Sequence, residues 1–224
     1  MFIAKTPLVV GPDQLLQSRI LEMTASSVKA GLHQAPYAGS APGRIGPNSI
    51  TQTLRALDEL TVGKRERIWA SSGLPDAAPT AMVPEAWFMT LVRAVREELP
   101  EGQAEAVLRW SGSLTADYVR ANRIPAPAKV VLRLLPRAVS LPLLLWAVGK
   151  HAWTFAGSGT FRVEGRTLVL DGSPTARARP QGLSCSYYEA AFEGLLSLAA
   201  PGVHVRERCC RGAGAPDCRF ELSP

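Results

Sequence analysis

Residues 161–172 read FRVEGRTLVLDG. Two short runs of strand-forming residues flank Gly165, so the stretch predicts a β-hairpin that turns at the glycine. Upstream, the apolar residues recur at helical spacing. Downstream, CSYYEAAFEGLLSLAA places Tyr188, Phe192, Leu195 and Leu196 on one helix face, and VHVRERCC and CRFEL, split by RGAGAPD, form a closing hairpin. Helices first and a small antiparallel sheet later define an α+β class, a helical layer packed on the sheet.

Working towards the N-terminus, residues 128–155 continue a helical pattern that Pro136 and Pro142 are expected to kink or divide. Residues 102–122 predict another helix, with Val107, Leu108, Leu114, Tyr118 and Val119 as core positions. Pro84 opens a third, whose stripe is Trp87, Phe88, Leu91, Val92 and Val95. GLPDAAPT marks a boundary before it. Ser49 is the expected N-cap of a helix carrying Ile50, Leu54, Leu57 and Leu60 on one face. The Gly-, Pro- and Ala-rich residues 31–47 join an N-terminal arm, residues 1–42, to a main domain spanning residues 43–224.

A chain of 224 residues, 46% hydrophobic, is globular and long enough to bury a core. Its 25 Lys and Arg against 19 Asp and Glu give a net charge of +6, which suits an acidic partner, an anionic membrane surface or a carboxylate-bearing ligand. Nucleic acid is disfavoured, because the basic residues are scattered and show neither aromatic interleaving nor zinc-finger spacing. The opening MFIAKTPLVVGP lacks a sustained apolar run after a basic start, so a cytoplasmic location is expected. The most apolar run, AVSLPLLLWAVG at 138–149, falls short of the roughly 20 residues that span a bilayer and contains Pro142. It reads as a buried helix, not a transmembrane segment, with peripheral membrane association left open.

The sharpest chemical feature is the C-terminal set Cys185, Glu207, Cys210 and Cys218, the last two joined by a glycine-bearing turn. Thiolates with a carboxylate are competent ligands for four-coordinate zinc and argue against magnesium or calcium. Such a zinc is structural, since four protein ligands leave no position for water. In an undistorted strand Glu207 and Cys210 point to opposite faces, so a bulge or turn near Arg208 is required. Cys209 competes with Glu207 for the fourth position, and four reduced thiols without metal are the plain alternative.

A cysteine, then a glutamate three residues before a second cysteine, a glycine turn and a third cysteine near an aromatic is a pattern that resembles the vinyl-4-reductase domain family. Here it reads as Cys185, ERCC from Glu207, and RGAGAPDCRF. GRIGPNSITQTLRAL, ADYVRANRIPAPAKVVLRLLP and KHAWTFAGSGTF further resemble the bacteriochlorophyll-synthesis members, so the likeness runs from residue 43 to the end. The resemblance implies zinc held by Cys185, Glu207, Cys210 and Cys218. It also implies the ligand-binding fold shared with TRAPP vesicle-tethering subunits and haem nitric-oxide sensors, in which helices and sheet enclose an apolar pocket.

The family name implies vinyl reduction on a Mg-tetrapyrrole of the divinyl protochlorophyllide or Mg-porphyrin type. Yet GSGTF follows a helix and lacks the spacing of a dinucleotide turn, and there is no iron–sulfur cysteine series. The expected role is therefore a pigment carrier or chaperone. A reductase with an external electron donor is the second reading, and a pigment-independent assembly factor for pathway enzymes the third. His151 is the candidate axial ligand to magnesium, against a core histidine bonded to backbone. Trp146, Trp153 and Phe155 are candidates to stack on the macrocycle, against ordinary core packing. Lys129, Arg133 and Arg137, recurring every fourth residue, are candidates to pair with a propionate, against a solvated face. Related folds form dimers, so a homodimer is expected by analogy alone.

Overall fold

The computed structural model describes residues 43–178 and 185–224, so the expected arm over residues 1–42 lies outside the described residues. Strand β1 (Arg44–Ile45) pairs antiparallel with β2 (Val83–Pro84). Between them lie α1 (Asn48–Leu60) and α2 (Arg65–Ser71); after them come α3 (Glu85–Glu98) and the long α4 (Glu101–Asn122). Next are α5 (Ala126–Leu134), α6 (Arg137–Lys150) and the short α7 (Trp153–Ala156). The hairpin β3 (Thr160–Glu164) and β4 (Thr167–Asp171) precedes α8 (Pro174–Ala178), α9 (Ser186–Leu196), β5 (His204–Cys209) and β6 (Cys218–Ser223). The second sheet is antiparallel throughout, in the order β3-β4-β6-β5. This is an α+β fold, helical with a small antiparallel sheet.

Period-2 alternation aims the sheet. Cys218, Phe220 and Leu222 of β6 are buried, together with Val205 of β5 and Leu168 and Leu170 of β4. The opposite face carries the ion pairs Arg162–Asp217, Arg219–Glu164 and Arg208–Glu221. Onto the apolar face packs α9, whose Phe192 ring lies 5.4 Å from Phe220. The far side of α9 meets α4, leaving Tyr188, Phe192 and Leu196 buried between layers. Each such side chain contributes roughly 1.5–3 kcal/mol by leaving water.

The α4–α9 approach depends on small residues. A Cβ on Gly112 would stand 2.1 Å from the Tyr187 carbonyl oxygen, and one on Gly194 would stand 2.8 Å from Cβ of Ala116. Helix α1 covers α4 in turn, and the buried Thr53 and Ser111 hydroxyls satisfy one another at 2.7 Å across that contact.

Three expectations change. Helix α1 begins at Asn48, and the Ser49 hydroxyl donates to the Gly46 carbonyl at 2.9 Å instead of capping. Pro136 separates α5 from α6, whereas Pro142 sits inside α6, where the Ala138 carbonyl loses its helical donor. Finally, α6 is buried on one side only. Ser140, Leu144, Leu145 and Val148 face the protein, while Leu143 and Trp146 are exposed.

Candidate functional site

Cys185 is the residue before the first turn of α9, and Cys210 and Cys218 flank the 3-10 turn Arg211–Ala213 between β5 and β6. The fold brings these three thiols together with Glu207: one ligand atom from each lies within 4.8 Å of all the others. The three sulfurs are 3.5, 3.6 and 3.7 Å apart. Tetrahedral zinc, with Zn–S of about 2.3 Å, needs sulfurs about 3.8 Å apart, so the triangle closely matches that coordination edge.

A bulge selects the fourth donor. Glu207 pairs with Phe220 and Cys209 with Arg219, so Arg208 is the extra residue and the side-chain alternation flips after it. Glu207 and Cys210 then face inward together. Cys209 turns to the charged face, its sulfur 3.9 Å from the Asp217 carbonyl oxygen. One Glu207 oxygen accepts the Cys185 amide N–H at 3.2 Å, and the other is buried without a hydrogen-bond partner. The surroundings suit sulfur ligands as well. Thr175 donates to the Cys185 sulfur at 3.3 Å and the Arg211 amide donates to the Cys218 sulfur at 3.4 Å, contacts of the kind that would orient thiolates towards a metal.

Without a cation, burial drives Cys185 and Glu207 towards their protonated forms. Burial pushes the Cys185 thiol well above its ordinary range, with the neighbouring Cys210 and Cys218 adding to the effect. Burial and the adjacent Cys210 raise Glu207 to about 8. A divalent cation offsets this penalty by displacing the protons, so donor set, spacing and orphaned carboxylate oxygen all fit a zinc ion.

The second feature is a cavity of about 600 Å³ where α4, α7 and α9 converge with the residues around β1 and β2. Tyr187, Tyr188 and Phe192 form its aromatic wall, with Phe155 and Trp153 from α7. Tyr188 donates its hydroxyl to the Phe155 carbonyl at 2.7 Å, which holds that wall together. His151, exposed in the junction between α6 and α7, and Arg123, after the end of α4, supply imidazole and guanidinium groups at the lining. Pockets of this size and character hold organic ligands of several rings.

No family model matches the chain. The bacteriochlorophyll synthase 23 kDa chain of Cereibacter sphaeroides is 42% identical over 188 residues, covering 81% of this chain and 91% of that protein. Its counterpart in Rhodobacter capsulatus is 39% identical over 199 residues, covering 84% and 93%. The chain belongs to the bacteriochlorophyll synthase 23 kDa chain family. Among solved structures, the phenol-responsive sensory domain of the transcription activator PoxR, in complex with phenol, aligns with a TM-score of 0.47 at 14% identity, over 73% of this chain and 91% of that one.

In this member of the 23 kDa chain family, the residues singled out from sequence divide in two. Cys185, Glu207, Cys210 and Cys218 converge, and His151, Trp153 and Phe155 line the cavity. Trp146 is absent from that lining; its ring lies at the surface with the Lys150 ammonium 5.8 Å from its centroid. Nor do Lys129, Arg133 and Arg137 line it, because Pro136 breaks the helix on which they would have aligned. Lys129 donates to the Arg120 carbonyl at 3.0 Å and closes the end of α4. The sequence reading missed Arg123, Tyr187, Tyr188 and Phe192 as lining residues. The aromatic cluster immediately after Cys185 was the available signal for the last three.

The GSGTF stretch also has a structural assignment in this fold. Gly157, at φ +62°, gives the Glu85 carboxylate room that a Cβ would fill, at 1.9 Å from Oε2. Ser158 donates its N–H and hydroxyl to that carboxylate at 2.8 and 2.7 Å, and Arg177 grips both oxygens at 2.9 and 2.6 Å. Gly157 thus accommodates an internal carboxylate, which ties α3, the α7–β3 turn and α8 together.

Proposed function

We propose that this chain serves bacteriochlorophyll biosynthesis by taking a Mg-tetrapyrrole intermediate, of the divinyl protochlorophyllide or Mg-porphyrin type, into the cavity beside α9 and carrying it between pathway enzymes. The observation that carries this reading is the aromatic-walled cavity with His151 and Arg123 at its lining, in a chain about 40% identical to bacteriochlorophyll synthase 23 kDa chains. A flat macrocycle stacks on Tyr187, Phe155 and Trp153; the His151 imidazole is the nitrogen ligand available to magnesium; and Arg123 is the partner for a propionate. The domain is of the vinyl-4-reductase type, and Cys185, Glu207, Cys210 and Cys218 hold a structural zinc. That ion, bound to four protein ligands, supplies cross-linking and no open coordination position.

The test is titration of protochlorophyllide into purified protein. A saturable red shift of the absorbance bands, with quenching of tryptophan fluorescence, is the expected outcome. An unchanged spectrum at micromolar concentrations overturns the carrier reading. Turnover of divinyl pigment by the chain with NADPH alone makes it a reductase, and pigment-independent co-purification with pathway enzymes in the absence of a spectral shift makes it an assembly factor.

A further inference from the structure

The surface formed by α5, α6 and the start of α7 has an unusual combination of charge and exposure. From Tyr118 to Val163 the chain contains no Asp or Glu, and within that stretch α5 and α6 carry Lys129, Arg133, Arg137 and Lys150. The same stretch exposes Val130, Val131, Leu134, Leu143, Trp146 and Trp153, six of the nine large hydrophobic side chains exposed among the described residues. Leu134 is 79% exposed and Val130 54%, values that leave these side chains standing in solvent.

Helical geometry sorts these residues onto faces. At about 100° per residue, Val130 and Leu134 lie about 160° around α5 from Leu132, the side chain that α5 buries. Helix α5 is therefore apolar on both sides, one turned to the protein and one away from it, with Arg133 exposed beside the outer one and Arg137 exposed at the start of α6. On α6, Leu143, Trp146 and Lys150 share a narrow arc opposite Leu145 and Val148. Lys150 sits over the Trp146 ring, a pairing in which the ring can lie in an apolar layer while the ammonium reaches its charged boundary. No helix among the described residues is long and apolar enough to cross a membrane, so a surface of this kind would lie on a bilayer, not span it.

We propose that α5 and α6 form a docking surface for an anionic lipid bilayer, with Val130, Leu134, Leu143 and Trp146 entering the interface and Arg133, Arg137 and Lys150 meeting the headgroups. Charge complementarity singles out this occupant. A segment of 46 residues without a carboxylate matches a negatively charged lipid surface, and its exposed tryptophan, leucines and valines match the acyl boundary. The inference does not rest on pigment binding, because Trp146, Arg133 and Arg137 are outside the cavity lining.

The test is flotation of the full-length protein with phosphatidylcholine vesicles containing or lacking phosphatidylglycerol, at low and high salt. Binding should require the anionic lipid and weaken with salt, and Trp146→Glu with Leu134→Glu should reduce it by about tenfold or more. Brominated lipids should quench tryptophan fluorescence, less so in Trp146→Phe. The double variant must keep the wild-type circular dichroism spectrum; if it does not, Arg133→Ala with Arg137→Ala serves instead, again with lower binding expected. Equal binding to neutral vesicles, no binding to either, or binding untouched by these substitutions overturns the proposal. So does a self-association that the double variant abolishes in a protein that ignores vesicles, because the occupant is then a second copy of the chain.

Discussion

Glu207 and Cys209 are two residues apart, and the bulge at Arg208 gives them opposite roles. Cys210→Ser and Cys218→Ser should each abolish stoichiometric zinc, read by elemental analysis, and lower stability by several kcal/mol. Cys209→Ser should leave the metal content unchanged, because Cys209 faces Arg219 and the Asp217 carbonyl. Zinc loss in Cys209→Ser, or retention in Cys210→Ser, would show the assigned set to be wrong. The Glu85 carboxylate gives a second residue-level test. Burial raises its pKa, but the Arg177 guanidinium and the Ser158 donors outweigh burial and hold it below the ordinary 4.5. A depressed folded-state pKa stabilises the fold above the unfolded value and ceases to do so as pH falls through the folded one. Glu85→Gln should therefore cost about 2 kcal/mol at neutral pH, and the gap to wild type should close as pH drops below about 4.5. Denaturant titrations across that range measure it; a gap independent of pH would place the contribution in shape instead of charge. At this scale the sequence was readable wherever chemistry is local. Cysteine spacing and strand alternation pointed to the cluster and to the need for a bulge, whereas Arg123 in a helix-terminal loop had no periodicity to mark it.

Among the elements, α9 is the one on which both sites depend. It starts at Cys185, presses Phe192 onto Phe220, and turns Tyr187 and Tyr188 to the cavity. Its contact with α4 tolerates no added atom at Gly112, where a Cβ meets the Tyr187 carbonyl. Gly112→Ala is therefore expected to destabilise the protein by about 1–3 kcal/mol, although alanine is the better helix former, because the helices must separate. A thermal melt decides it: a rise in Tm would mean that the contact relaxes without cost. Helix existence and the centre of each core face were legible from apolar period, since Phe88, Leu91, Val95, Val107 and Leu108 are buried as their spacing predicts, whereas Trp87, Tyr118 and Val119 are only half-buried and Leu60 is exposed. Close approach was not legible, because a glycine inside a helix looks the same whether it faces water or another backbone. The one-sided burial of α6 escaped the reading for a related reason. Its apolar residues surround the helix, and hydropathy cannot distinguish a face turned to the core from a face awaiting another surface.

Across the whole molecule, the cluster and the cavity stand at successive points along one helix, so the geometry predicts that a change at one is felt at the other. With its ligands spread over the start of α9 and the β5–β6 turn, zinc would fix the register of α9 against the sheet. That register sets where Tyr187 and Phe192 stand in the cavity wall. Loss of such an ion would leave buried thiols and a buried carboxyl in place of a cross-link, groups that are costly to keep out of water. The sheet end of α9 should loosen first, and with it the aromatic wall. Treatment with a strong chelator is thus expected to lower Tm by about 5 °C or more and to weaken protochlorophyllide binding, with both effects reversed by added zinc. Trp153→Ala and Arg123→Ala should weaken the pigment without moving Tm or zinc content, since both side chains lie at the margin of the core. If chelation lowers Tm while pigment affinity is unchanged, α9 keeps its register without the ion and the two sites act independently. If pigment affinity falls in proportion to zinc content across partially loaded samples, the metal sets the shape of the cavity.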